Sequence, residues 1–189
     1  MILSDKTIKE RLNKGNITID PFNPDDLQPA SYDLHLGNSI LVFDEQKHQL
    51  IDVKEPVADK MRRIDLQDDA PYIVMPGAFL LANIKEITGV DNKHVGRLEG
   101  KSSLGRLGLI IHATAGFLDP GNVLRMTLEI ANLSPLPIKI YAGMKIAQIA
   151  FEEMDQEVEK PYGAKGLGSK YYKNMEVKPS SMYENFKKD

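Results

Sequence analysis

The chain has 189 residues, a formal net charge of −3 and a hydrophobic fraction of 42%, which suits one globular domain that needs no disulfide or metal to be stable. The acidic balance makes sequence-independent nucleic-acid binding a poor candidate function. The chain contains no run of 18 apolar residues, so we expect no membrane span. The first residues are charged where a signal peptide is apolar, so we expect a cytoplasmic protein.

The absence of cysteine bears on chemistry as well as on compartment. Zinc-dependent nucleobase deaminases hold their metal with His and Cys side chains. This chain has no Cys, and its four His show no metal-ligand spacing: they are His35, His48, His94 and His112. We therefore expect neither a structural nor a catalytic zinc ion.

The N-terminal residues predict one short helix. Ser4 is a good N-cap and Gly15 a plausible stop, while Ile8 and Leu12 lie four residues apart and form one apolar stripe. Residues 20–31 contain three Pro and predict an irregular loop.

From Tyr32 onward, short runs rich in Ile, Leu and Val recur between Gly, Pro, Asn and Asp residues. The runs are SILVF (39–43), APYIVM (70–75), GAFLLANIKEI (77–87), GLIIHATA (108–115), MTLEIAN (126–132), LPIKIY (136–141) and KIAQIAF (145–151). Many short strands at such spacing predict a mainly-β barrel or jelly-roll-like body. The glycine-rich segment PYGAKGLGSKYYKN (161–174) is either a loose surface tail or a flap that orders over a bound anion.

The segment GKSSLGRLGL (100–109) places two cations, Lys101 and Arg106, beside two hydroxyls, Ser102 and Ser103. Such a group can cradle phosphate oxygens, although the order of a P-loop is absent and an ordinary polar turn has the same composition. Further along, Asp119 lies in a Pro-Gly turn. It is either a turn former or a group that orients a water molecule or a sugar hydroxyl.

The run MTLEIAN alternates between two faces. Met126, Leu128 and Ile130 share one side, and Thr127 and Glu129 share the other. If the second side faces solvent, Glu129 is an ordinary exposed carboxylate. If it faces a barrel interior or a subunit interface, Glu129 is an enclosed acid that can transfer protons.

Taken in order, the blocks GKSSLGRLGL, HATAGFLDPG, TLE, GMKIAQ, PYG and SKY strongly resemble the dCTP deaminase family, which belongs to the dUTPase-like superfamily of trimeric β-barrel nucleotide hydrolases. The resemblance extends to the ILSD start and to QPASYDL at 28–34. It implies a dUTPase-like distorted β-barrel or jelly roll with a short N-terminal helix. It also implies that residues 1–189 form a single domain whose last part, from about residue 160, is a mobile flap.

The resemblance implies a hydrolase in which Glu129 is the general acid/base of deamination. Glu129 takes a proton from a water molecule that attacks C4 of cytosine and delivers it toward N3 and the departing ammonia. Ser102 and the carbonyl group of Ala115 hold that water, and Arg106 reaches the base across a subunit boundary. The implied nucleotide contacts are Lys101, Ser102, Ser103, Leu104, Gly105, Arg106, Asp119, Thr127, Leu128, Glu129, Gln148, Tyr162, Lys170 and Asn174.

The implied partners are dCTP and dUTP as substrates, dTTP as an inhibitor and two further copies of the chain in a homotrimer. Mg²⁺ arrives with the triphosphate and is held mostly by phosphate oxygens and water, as suits a cation that dehydrates reluctantly. No protein-built metal site is implied. Neither a nucleic acid nor a membrane is among the expected partners.

A second activity depends on Gly116 and Phe117. Members of the family that also cleave the α–β phosphate bond carry such a glycine followed by an aromatic residue, and Asp119 matches the water-activating Asp of dUTPases. The resemblance therefore favours formation of dUMP from dCTP. The alternatives are deamination alone with release of dUTP, a plain dUTPase, and a non-catalytic trimeric nucleotide-binding protein. The chain departs from the family pattern at 122–124, at Ala142 and at Asn174.

Overall fold

Short strands dominate the structure, a computed structural model that describes residues 1–46, 50–67 and 70–187. His48 lies outside these residues. The α-helices are α1 (Asp5–Asn13) and α2 (Ser102–Gly105), and short 3₁₀ helices span Pro24–Asp26, Ala58–Lys60 and Met182–Phe186. The strands are β1 (Ile17–Asp20), β2 (Leu27–Gln28), β3 (Ser31–Phe43), β4 (Met61–Asp65), β5 (Tyr72–Val74), β6 (Phe79–Ile84), β7 (Ile87–Val90), β8 (His94–Gly100), β9 (Leu109–Ile110), β10 (Phe117–Leu118), β11 (Val123–Leu124), β12 (Thr127–Asn132), β13 (Ile138–Ile140) and β14 (Lys145–Glu153).

One large antiparallel sheet curls around the core. Its strand order is β10-β8-β14-β3-β6-β12-β9, and β2 and β4 also pair with β3. A three-stranded sheet, β1-β7-β11, and the pair β13-β5 complete the body. The inward side chains form one apolar core that includes Leu34, Ile84, Leu128, Ile149 and Phe151, all fully buried. The prediction of a mainly-β, barrel-like body is confirmed.

The N-terminal helix forms as predicted. The Ser4 side chain accepts a hydrogen bond from the backbone N–H of Thr7 and so caps α1. Gly15 adopts φ +75°, a left-handed conformation that ends the helix with little strain. Ile8 is fully buried and fixes the apolar face of α1 to the body.

The sequence prediction missed several strands and misjudged two segments. Strands β1, β4 and β8 were not predicted because short strands with charged or exposed positions lack a continuous apolar run. Residues 20–31 are not wholly irregular, since β2 pairs there with β3. In the run 108–115, only β9 is a strand. The residues after Ile111 leave the sheet because their backbone amides bond to a side chain on β12.

A carboxylate clamp joins the turn before β8 to the N-terminal region. Asp91 Oδ1 accepts from the backbone N–H of Lys93 at 2.9 Å and lies 2.7 Å from Nδ1 of His94. Its Oδ2 accepts from Asn16 Nδ2 at 2.8 Å. Burial acts to raise the pKa of Asp91, but these hydrogen bonds outweigh it and leave the pKa below its ordinary value.

Within the described ranges, no helix is long and apolar enough to cross a membrane.

Candidate active site

A cavity of about 520 Å³ lies between the sheet and the C-terminal segment of the chain. Strand β12, the loop 114–117 and the turn at Asp119 form one side of it. Tyr162, Tyr171 and other residues that follow the last strand form the opposite side. A cavity of this volume is in the range that binds a nucleotide-sized ligand.

Strand β12 carries the central acid of this cavity. Leu128 and Ile130 are fully buried in the core, whereas Thr127 and Glu129 lie on the cavity wall and are partly buried. The predicted alternation along this strand is therefore confirmed. Glu129 is directed into the cavity, as a proton-transferring acid requires.

The carboxyl group of Glu129 is held by the loop opposite it. Its Oε2 accepts from the backbone N–H groups of Ala113 at 2.9 Å and Thr114 at 3.3 Å. The backbone N–H of Glu129 donates to the carbonyl of Ile111 at 3.0 Å. Its Oε1 makes no hydrogen bond to any residue that the structure describes. One oxygen therefore positions the acid, and the other remains free to meet a ligand.

Gly116 lets the loop run close to the neighbouring strand. A Cβ atom at this position would lie 2.9 Å from the carbonyl oxygen of Leu98 and 3.3 Å from Cε1 of His112. The Gly116 carbonyl accepts from the Leu98 N–H at 2.7 Å. Phe117 follows at the cavity rim and is 61% exposed. The predicted pair at 116 and 117 thus lines the same cavity as Glu129.

Asp119 is the second acid on the cavity wall. It precedes a turn that Gly121 closes with φ +80°, and its carbonyl accepts from the N–H of Asn122 at 3.2 Å. Burial raises the pKa of the Asp119 carboxyl group above its ordinary value. Asp119 therefore forms the turn and also faces the cavity, and its role toward a water molecule or a sugar hydroxyl stays a prediction.

The C-terminal segment lies against this turn through hydrogen bonds that its backbone N–H groups donate. The N–H of Tyr162 donates to the carbonyl of Pro120 at 2.9 Å, and the N–H of Lys173 donates to Oδ1 of Asn122 at 3.0 Å. Asn122 is 4% exposed. The departure from the family pattern at 122–124 thus supplies an attachment point for this segment.

The segment also brings residues that the sequence did not single out. Lys178 lines the cavity, with its Nζ 3.3 Å from the carbonyl oxygen of Lys170 and 5.6 Å from the centre of the Tyr171 ring. Lys170, which was predicted to bind phosphate, is not on the cavity wall. Lys170 was singled out because it lies in the SKY block, whereas no sequence signal marked Lys178, which lies in a polar segment without a repeating pattern.

The predicted phosphate-binding turn, residues 101–106, is not part of the cavity wall. Residues 101–106 follow β8, and Ser102, Ser103 and Arg106 are exposed. None of them lines the cavity, and neither does Gln148 on β14. Lys101 instead forms an ion pair with Asp33.

Most of the predicted residues therefore separate into two groups within one chain. Leu128, which is fully buried in the core, and Lys170 belong to neither group. The cavity group contains Ala115, Gly116, Phe117, Asp119, Thr127, Glu129, Tyr162 and Asn174. The other group contains Lys101, Ser102, Ser103, Leu104, Gly105, Arg106 and Gln148. One chain does not bring the two groups to a common cavity. In residues 1–46, 50–67 and 70–187, no group of three or more His, Asp or Glu side chains is arranged to hold a metal ion.

Comparisons with known proteins identify the family of the chain. Residues 2–154 match the family model described as dCTP deaminase-like. A protein of Corynebacterium jeikeium named "dCTP deaminase, dUMP-forming" is 44% identical over 98% of this chain and 99% of its own length. A protein of Acidothermus cellulolyticus with the same name is 42% identical over 98% of this chain and 97% of its own length.

A solved structure shows the same fold. The 2'-deoxycytidine 5'-triphosphate deaminase from Agrobacterium tumefaciens superposes with a TM-score of 0.63 and 22% sequence identity. The match covers 80% of this chain and about half of the other, 48%. It supports the fold predicted from the sequence. From the family model and the full-length relatives it follows that this chain belongs to the dCTP deaminase-like family.

Proposed function

We propose that this protein is a bifunctional hydrolase that converts dCTP and two water molecules into dUMP, diphosphate and ammonia. The observation that carries the proposal is one cavity whose wall holds two acids, Glu129 and Asp119, with different surroundings. Relatives that match over their full length are named as dUMP-forming dCTP deaminases, which supports the same reaction.

In the deamination step, the free Oε1 of Glu129 takes a proton from a water molecule as its oxygen bonds to C4 of cytosine. Glu129 passes this proton to N3. It then moves the second proton, from the new hydroxyl on C4, to the amino nitrogen, so that the C4–N4 bond breaks, ammonia leaves and the C4 carbonyl forms. Ser102 and the Ala115 carbonyl group hold the water, and Arg106 lies near the reacting base. The hydrogen bonds from 113 and 114 keep Glu129 oriented during both transfers.

In the second step, Asp119 accepts a proton from another water molecule, which attacks the α-phosphorus. The bond between that phosphorus and the oxygen bridging to the β-phosphorus breaks, and diphosphate leaves with the bridging oxygen. Asp119 must be ionised to accept the proton, so its raised pKa limits this step on the acid side. Gly116 and Phe117 line the cavity beside Asp119, as the bifunctional assignment requires.

The proposal needs a second chain to complete each site. The turn 101–106 and the cavity lie apart in one chain, and exposed apolar side chains adjoin the turn. Leu107, Ile110 and Leu133 are 57%, 38% and 69% exposed, and the N–H of Leu133 donates to the carbonyl of Gly108 at 2.9 Å. Covering such a surface with another copy of the chain removes apolar area from water. We propose a homotrimer in which the turn of one chain completes the cavity of its neighbour.

Mg²⁺ is part of the proposed substrate. Glu129 and Asp119 are the acidic side chains on the wall of the described cavity, which is too few for a protein-built Mg²⁺ site. They fit a cation that phosphate oxygens and water hold and that reaches the protein with the triphosphate. Inhibition by dTTP, the cytoplasmic location and the flap role of residues from about 160 onward stay predictions.

Chromatography of the products formed from dCTP and Mg²⁺ tests the proposal. We expect dUMP, diphosphate and ammonia in equal amounts. Accumulation of dUTP without diphosphate would identify a deaminase alone, and cleavage of dUTP without ammonia from dCTP would identify a dUTPase. Nucleotide binding without turnover would identify a non-catalytic binding protein and would overturn both steps.

A further inference from the structure

A line of charged side chains whose carboxylates are buried begins at Lys101, the first residue of the turn. Its carboxylates belong to Asp26, Asp33 and Glu86, which are 4%, 3% and 2% exposed. A buried carboxylate destabilises the fold unless a cation or a hydrogen bond compensates for its lost hydration. The partners of these carboxylates therefore show which part of the molecule the line holds in place.

Asp33 is the member that reaches the turn. Its Oδ1 accepts a hydrogen bond from Nζ of Lys101, and its Oδ2 accepts from Nζ of Lys145 at 3.2 Å. Gln28 Nε2 lies 3.4 Å from the same Oδ2. Asp33 and Lys145 belong to β3 and β14, which are adjacent central strands of the large sheet. Lys101 is therefore attached to the middle of the sheet.

Lys145 joins Asp33 to the rest of the line. Its Nζ lies 2.7 Å from Oδ1 of Asp26. That oxygen is 3.8 Å from Nε2 of His35, and Nδ1 of His35 is 2.6 Å from Oε1 of Glu86. Burial acts to raise the pKa of Asp26, but Lys145 and His35 outweigh it and leave the pKa lowered. The hydrogen bond to Asp26 raises the pKa of Lys145. Asp26 and Lys145 are therefore both ionised at neutral pH.

Gln148 fixes the turn from its other side. Its Nε2 donates to the carbonyl of Gly100 at 3.2 Å, and its Oε1 accepts from Oγ of Ser31 at 3.1 Å. Beyond this base, the side chains at 102–103 and Arg106 are exposed and make no hydrogen bond or ion pair with other described residues. The turn is thus rigid where it leaves the sheet and has free polar groups at its tip.

We infer that Asp33 is a positioning residue, and that Lys101 serves the site by holding the turn against Asp33 rather than by binding phosphate. The inference rests on the proposed function. Asp33 keeps the hydroxyl and guanidinium groups of the turn in the place where the neighbouring chain's nucleotide meets them. Lys145 keeps the Asp33 carboxylate paired on the side away from the turn.

This assignment and direct phosphate binding by Lys101 predict opposite signs for one substitution. If Lys101 binds phosphate, Asp33→Asn removes a competing anion, frees the ammonium group and tightens binding of dCTP. If Asp33 positions the turn, the same change loosens the turn and weakens binding, even though a negative charge has been removed near a polyanion. Small displacements of a positioned group reduce rates by up to about a hundredfold.

The experiment measures KM and kcat for dCTP, and dCTP affinity, in Asp33→Asn, Lys101→Met and the double variant. We expect each single change to raise KM by about tenfold or more, and the double variant to be no worse than either single one, since both break the same contact. Glu99→Gln is the matched control. Its side chain is 50% exposed and 3.7 Å from Arg97, so it removes a negative charge near the turn without touching the line.

Salt dependence and thermal unfolding keep the inference testable even if Asp33→Asn does not fold. A lost phosphate contact flattens the salt dependence of KM, whereas a loosened turn leaves it unchanged, so Lys101→Met alone distinguishes the two. Tighter dCTP binding in Asp33→Asn, a flatter salt dependence in Lys101→Met, or a lowered Tm with unchanged KM would each overturn the inference. Absence of dCTP turnover in the parent protein would instead overturn the proposed function.

Discussion

Replacing Glu129 with Gln removes the proposed proton carrier while changing the shape of the cavity very little. The Gln carbonyl oxygen can occupy the position of Oε2 and still accept from the N–H groups of Ala113 and Thr114, which lie 2.9 and 3.3 Å away in the parent protein. An amide cannot carry a proton between water and the base at neutral pH. We therefore expect deamination to fall while the fold and the binding of dCTP persist.

The size of both effects follows from these contacts. Loss of a proton-transferring group reduces the rate by about 10² to 10⁴-fold. Hydrogen bonds to an ionised acceptor contribute more than neutral ones, so weakening the two bonds should lower the free energy of unfolding by about 1 kcal/mol. For a chain of this length that corresponds to a decrease in Tm of about 2 to 4 °C.

The assay combines ammonia release from dCTP, dCTP affinity by calorimetry and thermal unfolding of the same preparation. Glu152→Gln is the control, because its carboxylate pairs with Arg97 at 3.4 Å and does not line the cavity. It should leave ammonia release unchanged. If Glu129→Gln releases ammonia within about threefold of the parent rate, Glu129 is not the acid/base that the mechanism needs.

Three further changes test other parts of the structure. Asp119→Asn should stop diphosphate release, so that dUTP accumulates while ammonia still forms. Continued diphosphate release would refute the assigned role. The raised pKa of Asp119 means that its ionised form destabilises the fold and that stability is lost as pH rises through this pKa. The neutral Asn should therefore leave Tm unchanged or raise it at neutral pH. Gly163 has φ +93°, and Gly163→Ala places a Cβ atom 2.5 Å from the Tyr172 ring. We therefore expect a several-fold higher KM for dCTP and faster proteolysis of the C-terminal segment. Unchanged values would show that the conformation of this turn is not needed. Asp91→Asn should lower the free energy of unfolding by about 2 kcal/mol near neutral pH. Because the pKa of Asp91 is lowered, its contribution to the free energy of unfolding is present above the ordinary pKa of 3.8 and is lost in stronger acid. If unfolding curves show the same stability difference between variant and parent below about pH 3, the ionised carboxylate is not its origin.

The central strand of the site was predictable because one local rule determines it. Side chains alternate along a strand, so buried Leu128 and Ile130 require Glu129 to face the opposite side. The turn at Asp119 was predictable for the same reason, since Pro and Gly specify it within a few residues. The sequence did not decide whether the second face of β12 is solvent or cavity, because the C-terminal segment closes that space from far along the chain.

Long-range contacts account for what was missed. Asp33 and Lys101 are 68 positions apart, and no local pattern pairs them. Strand β8 was missed because its outward side chains, such as Arg97 and Glu99, are charged and interrupt the apolar run. The resemblance implied that Arg106 acts across a subunit boundary. It did not imply which of the other predicted residues lie apart from the cavity, because motifs give order along the chain but not distance in space.

The close approach of Gly116 to Leu98 restricts how this protein can evolve. With 2.9 Å between a built Cβ and a main-chain oxygen, even alanine requires the loop to separate from β8, and the collision is with backbone that no rotamer change relieves. A descendant that exchanges this glycine for a larger residue must therefore adopt a different loop conformation at the same time. A substitution at position 116 that changes the second activity therefore also changes the path of the main chain. A substitution at the neighbouring Phe117 changes only a side chain and does not have this effect.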